Sequence, residues 1–547
     1  MPTLKASQWG LAQIKQARNE KGWSWSLDDD DTCLLEASRI LEPDKPWHSG
    51  GPYANGLSQG TWKRFLAGRQ PISAHAFKAY CHVLGLNWEE IVAQANTTPS
   101  HSRQDWGETI DISIFYGRTA ELEQLDQWVL KERCRIVALL GMGGIGKTSL
   151  AAKLAEKIQS SFEYVIWRSL RHASPLSDLL AEVIDFLSEG KEGELPETVN
   201  GQISRLMDFG QRHRCLLLLD DVETIMSSGK LAGHYREGYQ DYGELIRRMA
   251  EERHQSCLLL ISREKPIEIA SLAGEKLPVR ELKLKGLSAE DAKRILETKG
   301  FSSLKSSADA LIQLYRGNPL ALKIMGTTIQ EIFDGNISEF LEQSTLIIGD
   351  ILPNVFNQQF QRLSPLEQEI IYWLALENQP LSISELKEAM KFSVTSLSKL
   401  LAALESLKRR SLLEKEPNTE ANEVIFTIQP ALLKYATNQF IEQVCQQILT
   451  VCQTKSLSKL GLLRSHALVK EQVSDELKTL QIRLILTRVR DRLYLLKGSD
   501  SLEDQLKAIL SILEETSDPI VGYAQLNVIN LLDAIEGRLS ANPRGLA

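Results

Sequence analysis

The octapeptide Gly141-Met142-Gly143-Gly144-Ile145-Gly146-Lys147-Thr148 limits the folds open to this chain more than any other feature. It has the spacing GxxxxGK[ST], follows the apolar run RIVALL, and opens a stretch of good helix formers, SLAAKLAEKIQ. That order predicts strand, tight loop, helix. Glycines at these places let backbone N–H groups curl around an anion, and the helix N-terminus adds its partial positive charge. The backbone of Gly141, Gly143, Gly144, Ile145, Gly146, Lys147, Thr148 and Ser149 is therefore expected to cradle phosphates. Lys147 supplies a point charge for the β- and γ-phosphates, and the Thr148 hydroxyl a ligand for Mg²⁺.

A second element fits the first. The leucine run Leu216–Leu219 ends in Asp220-Asp221, roughly seventy residues beyond the loop. An apolar run ending in aspartates is by itself commonly only a strand end; paired with Lys147 it has the placing of an acidic Mg²⁺ site in a P-loop fold. Asp220 is expected to hold Mg²⁺ through water with Thr148, and Asp221 to orient or deprotonate an attacking water. Together the two elements make ATP or ADP with Mg²⁺ the expected ligand.

At 547 residues the chain needs several cores. Residues 1–95 read as short helices, and 96–110 have linker composition. Residues 111–285 alternate short apolar runs (RIVALLG, YVIWRSL, RCLLLLDD, SCLLLISR) with helical stretches, the pattern of a parallel sheet covered on both faces. Residues 286–345 keep an apolar spacing of three to four, a small helical bundle. From Ser364, where Ser-Pro-Leu-Glu marks a capped helix start, residues 346–440 run helix, helix, helix, hairpin, the order of a winged helix. Residues 441–547 are helical, with SHALVKEQVSDELKTLQIRLILTRVRDRLYLL the longest periodic segment, and no fixed-period repeat is present. The expected fold is multidomain: a P-loop parallel α/β/α sandwich followed by a helical bundle and a winged helix, with N- and C-terminal helical domains.

The ordered set IFYGRTAEL, GMGGIGKT, CLLLLDD, LLLISRE and RGNPLAL, over about residues 111–440, resembles the NB-ARC branch of the STAND P-loop ATPases. The resemblance implies that Gly117 and Arg118 help close over the nucleotide, that Arg263 is a sensor arginine reading the γ-phosphate, and that Pro319 of Gly317-Asn318-Pro319 packs on the adenine and ribose. Each has a plainer reading, as a surface cation or a helix start. The family's winged helix usually ends in Met-His-Asp, whose histidine contacts the β-phosphate of ADP; here the positions read Ile428-Gln429-Pro430. Gln429 can donate a hydrogen bond but carries no charge, so an ADP-locked state is expected to be held differently. The resemblance further implies a switch in which exchange of ADP for ATP opens the protein and exposes self-oligomerisation surfaces, with slow ATP hydrolysis as reset. Relatives commonly carry a C-terminal repeat array as sensor.

Leu57–Glu90 resembles the second half of a phage-repressor helix-turn-helix, with Gln59, Thr61, Trp62, Lys63 and Arg64 on or near the recognition helix. Lys45 to Trp88 holds five Lys or Arg, Arg69 among them, and no Asp or Glu. Such a stretch suits DNA phosphates, but it is also ordinary for a solvated face, and Asp28–Asp31 lies in the same module. DNA and a protein effector remain equal candidates for Gln59, Thr61, Lys63, Arg64 and Arg69. The aromatic residues Trp23, Trp25, Trp62, Phe65, Phe77, Tyr80 and Trp88 are most simply its core. A net charge of −8 argues against general coating of nucleic acid. Seven scattered cysteines without metal-ligand spacing, no signal-like N-terminus and no long apolar window predict a reducing, cytoplasmic setting without membrane.

Overall fold

The computed structural model describes residues 3–6, 8–21, 23, 27–68, 71–91, 103–112, 114–189, 195–301, 306–343, 351–393, 396–418, 423–497, 499–516 and 521–539. The chain divides into two compact units, Met1–Ser100 and His101–Ala547.

In the first unit, short strands β1 (Thr3–Leu4) and β2 (Ile72–Ser73) pair antiparallel, and helices cover Gln8–Glu20, Leu27–Leu41, Gln59–Ala67 and Ala74–Val83. Ser58 caps Gln59–Ala67 through a reciprocal pair with Thr61, Gly68 ends it at φ 61°, and Ser73 caps the next helix, as the turn residues predict. Trp62, Phe65, Phe77 and Tyr80 pack ring on ring in the unit's core. Trp23 and Trp88 pack at its margin, while Trp25 lies outside the described residues.

The second unit is built on a six-stranded sheet: β3 (Arg103–Asp105), β4 (Ile136–Leu140), β5 (Tyr164–Ser169), β6 (Cys215–Asp220), β7 (Cys257–Ser262) and β8 (Val279–Lys283), in the order β3-β5-β6-β7-β4-β8. All pairings are parallel. The near-continuous apolar runs follow from burial on both faces. Ile136, Ala138, Leu217, Leu219, Leu258 and Leu260 enter one core, and Val137, Leu139, Leu216, Leu218, Leu259 and Ile261 the other. β7 separates β4 from β6, so the phosphate loop after β4 and the aspartates after β6 flank the end of β7.

The helical part includes Ala289–Glu297, Ser306–Leu314, Pro319–Ile332 and Ile337–Gln343. It is followed by helices Pro365–Glu377, Ile383–Ala389 and Leu397–Arg409, each capped by the serine before it. A three-stranded antiparallel sheet of β9 (Leu381–Ser382), β10 (Leu413–Asn418) and β11 (Glu423–Ile428) packs in the same segment, its β10–β11 hairpin following the three helices. The apolar core runs without a break from Ala292 through Trp373 and Phe440 to Val528.

Two expected boundaries fall inside elements, and the longest periodic segment is interrupted. Arg103–Asp105, inside the expected linker 96–110, is the edge strand of the sheet; its polar side chains give no apolar signal because the pairing is made by backbone alone. The expected boundary at 440/441 falls within one helix, Pro430–Thr454, whose apolar stripe has no turn residue to interrupt it. The long periodic segment is not one helix. Its first part leaves helical structure at His466, whose imidazole is buried against Trp373 and Glu369 O, and helix resumes at Asp475 after the Ser474 cap.

Candidate nucleotide-binding site

The phosphate loop joins β4 to the helix Lys147–Ile158, with Gly141, Gly144 and Gly146 at φ 157°, 74° and 97°. One glycine of the loop and one before the helix Thr119–Asp126 answer to close packing. A Cβ on Gly144 would stand 2.6 Å from Leu320 Cβ, and one on Gly117 2.3 Å from Asp291 Oδ2. Both neighbours belong to the helical part, which therefore docks directly on the loop. Asn318 makes that joint: its Oδ1 accepts from Leu320 N and Ala321 N, its Nδ2 donates to Gly143 O at 3.1 Å, and Leu320 N donates to Gly144 O.

A cavity of about 270 Å³ lies over the loop, lined by Gly144, Gly146, Lys147, Thr148, Ser149, Asp220, Asp221, Glu223, Arg263, Pro319, Leu320 and Lys323. The Lys147 ammonium is buried and donates to Gly141 O and Met142 O, both at 3.0 Å. Burial pushes it down to about 8, against the pull of Glu223. Asp220 is buried and pushed up to about 6, first by desolvation and then by the Asp221 charge, although it accepts from Asp221 N and Thr148. A buried cation at the mouth of a glycine cradle and a desolvated carboxylate beside a threonine hydroxyl suit a nucleotide phosphate chain with Mg²⁺: Lys147 and the loop amides for the phosphates, Thr148 and Asp220 for the metal. Asp221 follows at φ 54°, and Arg171 Nε lies 3.4 Å from its Oδ2.

Arg263 emerges from the end of β7 between these groups, held by a residue that sequence reasoning missed. Glu223 Oε1 pairs with Arg263 Nε at 3.0 Å, and its Oε2 accepts from Arg263 N at 3.0 Å and Ser262 Oγ at 3.2 Å. Nothing in the spacing marks Glu223; it arrives on a turn, Val222–Ile225, and is fixed only by β7 running alongside. Lys323 and Leu320 were also missed. Lys323 stands four positions after Pro319, on the same helix face.

The other expected residues divide. Gly141 and Gly143 shape the loop, and Ile145 is buried beneath it. Arg118 is buried, pairs with Glu121 and donates to Ile145 O at 3.0 Å, so it braces the loop from behind. Gln429 does not line the cavity. It precedes the helix Pro430–Thr454, and its Nε2 donates to Glu414 Oε1 on the neighbouring strand β10 at 3.3 Å. In the first unit, Gln59, Lys63 and Arg64 are exposed, Thr61 is tied to Ser58 and Tyr80, and Trp62 is buried; Arg69 lies outside the described residues.

The parallel sheet, phosphate loop, acidic strand end and arginine at the end of the intervening strand are those of the P-loop NTPase fold. Within that class, residues 118–303 match the family model of the NB-ARC domain. It is 42% identical to an uncharacterized WD repeat-containing protein of Nostoc sp. (strain PCC 7120), over 98% of this chain and 46% of that protein, and so spans about half that relative's length. A putative disease resistance RPP13-like protein of Arabidopsis thaliana is 36% identical over 16% of this chain and 11% of its own. Among solved structures, the Walker-type ATPase PABY2304 of Pyrococcus abyssi is similar at 15% identity and a TM-score of 0.42, covering 62% of this chain and 99% of that one. Among the described residues no helix is long and apolar enough to cross a membrane.

Proposed function

We propose that the chain is an ATP/ADP-binding switch of the STAND type, in which nucleotide exchange controls opening and self-oligomerisation and slow ATP hydrolysis resets the closed state. The observation that carries this reading is the double ownership of the cavity: Lys147, Thr148, Asp220 and Arg263 come from the sheet, and Pro319, Leu320 and Lys323 from the helical part. A ligand touching both acts as a fastener, and it shifts an equilibrium only by binding one arrangement better than the other.

Lys147 and the loop amides bind the β- and γ-phosphates, and Pro319 packs on the adenine and ribose. Mg²⁺, when bound between Thr148 and Asp220, neutralises phosphate charge. Asp221 orients the attacking water and accepts its proton. Arg263, held in place by Glu223, reads the presence of the γ-phosphate.

The deciding experiment is to denature the purified protein and its Lys147→Ala variant and to identify released nucleotide by chromatography. Stoichiometric ADP in the wild type and none in the variant is the expected result. Wild-type protein that is empty and binds no added ATP with Mg²⁺ overturns the reading. A second reading, regulation of transcription through the first unit, rests on the exposed Gln59, Lys63 and Arg64 along one helix. It predicts a sequence-selective gel shift that is lost in Lys63→Ala/Arg64→Ala.

A further inference from the structure

A second cavity, about 700 Å³, adjoins the first and shares Asp221, Glu223 and Arg263 with it. Its lining does not include Lys147 and joins the ends of β6 and β7 to the segment that leads into the winged helix. Four arginines and three carboxylates line it, and one of the arginines, Arg410, also pairs with the buried Glu367 behind the lining. The carboxylates are already matched: Asp221 with Arg171, Glu223 with Arg263, and Glu264 with both Arg362 and Arg410. Arg171 and Arg263 spend only Nε in these pairs, so among the described residues their terminal nitrogens remain available as donors.

Gln359 adds the feature that points to a ligand. It is 7% exposed and lines this cavity, and among the described residues neither its amide oxygen nor its amide nitrogen has a hydrogen-bond partner. A buried amide left unpaired on both atoms is costly unless something fills the space with both a donor and an acceptor. Hydrogen phosphate is such a group: its charged oxygens accept from arginine and amide N–H, and its hydroxyl donates to an amide oxygen. Sulfate, fully deprotonated, has no hydroxyl to give.

We propose that this cavity holds the inorganic phosphate released from the γ-position, and that phosphate bound there keeps the winged-helix side docked on the sheet. The inference rests on the nucleotide reading above for the origin of the ion. In hydrolysis, the oxygen of water bonds to the γ-phosphorus as its bond to the ADP oxygen breaks. One proton of that water stays on the phosphate as its hydroxyl, and the other passes to Asp221 and then to solvent. The phosphate moves away from ADP past Arg263, the residue common to both cavities, towards Arg171 and Gln359. Arg362 stands across the same space, reaching Glu264 and Met226 O from the winged-helix side. An anion between the two sides tightens their contact, so the closed arrangement outlasts bond cleavage until phosphate leaves.

The test is calorimetric titration of potassium phosphate, and separately of potassium sulfate, into the full chain freed of nucleotide, into its ADP-loaded form, and into Lys147→Ala, Gln359→Leu and Gln359→Glu. The expected result is saturable phosphate binding in the ADP-loaded and Lys147→Ala proteins, at least tenfold weaker in Gln359→Leu, absent in Gln359→Glu, and at least tenfold weaker for sulfate. Gln359→Leu removes two unpaired polar atoms, so its unfolding temperature should match or exceed that of the wild type, which separates lost binding from lost folding. Phosphate binding that is unchanged in Gln359→Leu, that disappears in Lys147→Ala, or that is absent from ADP-loaded wild type overturns the proposal. Failure of ADP to bind, with phosphate binding retained, instead overturns the nucleotide reading and leaves the anion site standing without its proposed source.

Discussion

Lys147 and Asp220 face each other across the phosphate-loop cavity with opposite distortions, one pushed down to about 8 and the other up to about 6 by the same burial. The signs set a pH window. As pH rises through about 8, the empty protein loses the Lys147 proton that a phosphate chain needs, and as pH falls through about 6, protons compete with metal for Asp220. Affinity for ATP with Mg²⁺ should therefore peak between those values in calorimetric titrations from pH 5 to 9. Lys147→Arg should remove the upper limb, since guanidinium does not deprotonate in that range. A flat wild-type profile would place both groups outside the binding event. Asp220 also carries a folding consequence. Its folded pKa lies above the ordinary value, so its ionised form opposes folding of the empty protein at neutral pH. Asp220→Asn should stabilise that state by on the order of 2 kcal/mol in urea unfolding while abolishing Mg²⁺-dependent nucleotide affinity. The placing of both residues at one cavity was legible in the sequence, because glycine spacing and the strand-ending acid pair are local patterns. Glu223 was not: its task is set by Arg263, forty positions away on β7, and exists only once the two strands lie side by side.

At the scale of elements, the joint between sheet and winged helix is a buried charge network. Arg410 Nη1 pairs with Glu264 at 2.7 Å, Arg410 Nε with Glu367 at 3.0 Å, and Arg410 Nη2 donates to Lys230 O; Ser406 Oγ donates to Glu367 and accepts from Ala232 N. Arg410→Met should cost about 3–5 kcal/mol in urea unfolding, because Glu367 is left as a buried carboxylate without its cation. The helical part has a different weak point. Gly144→Ala should force Leu320 off the loop, and the left-handed φ alone costs about 1–2 kcal/mol, so nucleotide affinity and thermal stability should fall together. Farther along, His466 is fully buried and pushed down to about 4 by desolvation. Its neutral form belongs to the folded state, so stability present at neutral pH should be lost as pH falls from about 6.5 towards 4, by up to about 3 kcal/mol. His466→Gln should flatten that part of a pH series of unfolding curves.

For the whole molecule, the division at Ser100 and His101 predicts that a fragment of residues 1–100 unfolds cooperatively by itself, and that residues 101–547 retain nucleotide. Light scattering of the full chain with ADP and with a slowly hydrolysed ATP analogue should show a larger assembly only in the second case; equal masses would remove oligomerisation from the proposed switch.

By itself the sequence determined the elements whose signals are local: the phosphate loop, the four long apolar strands of the sheet, the serine-capped helices and the small aromatic core of the first unit. A glycine that must turn, a serine that must cap and a strand buried on both faces each write their requirement within a few residues. Tertiary structure decided what depends on distant backbone. It made Arg103–Asp105 an edge strand through pairing alone, carried one helix across the expected boundary at 440, and tied Gln429 to Glu414 on β10. It also placed Glu223 under Arg263, Asn318 on Gly143, and an unpaired Gln359 beside four arginines. Those are contacts between elements, and no periodicity within one element encodes its neighbour.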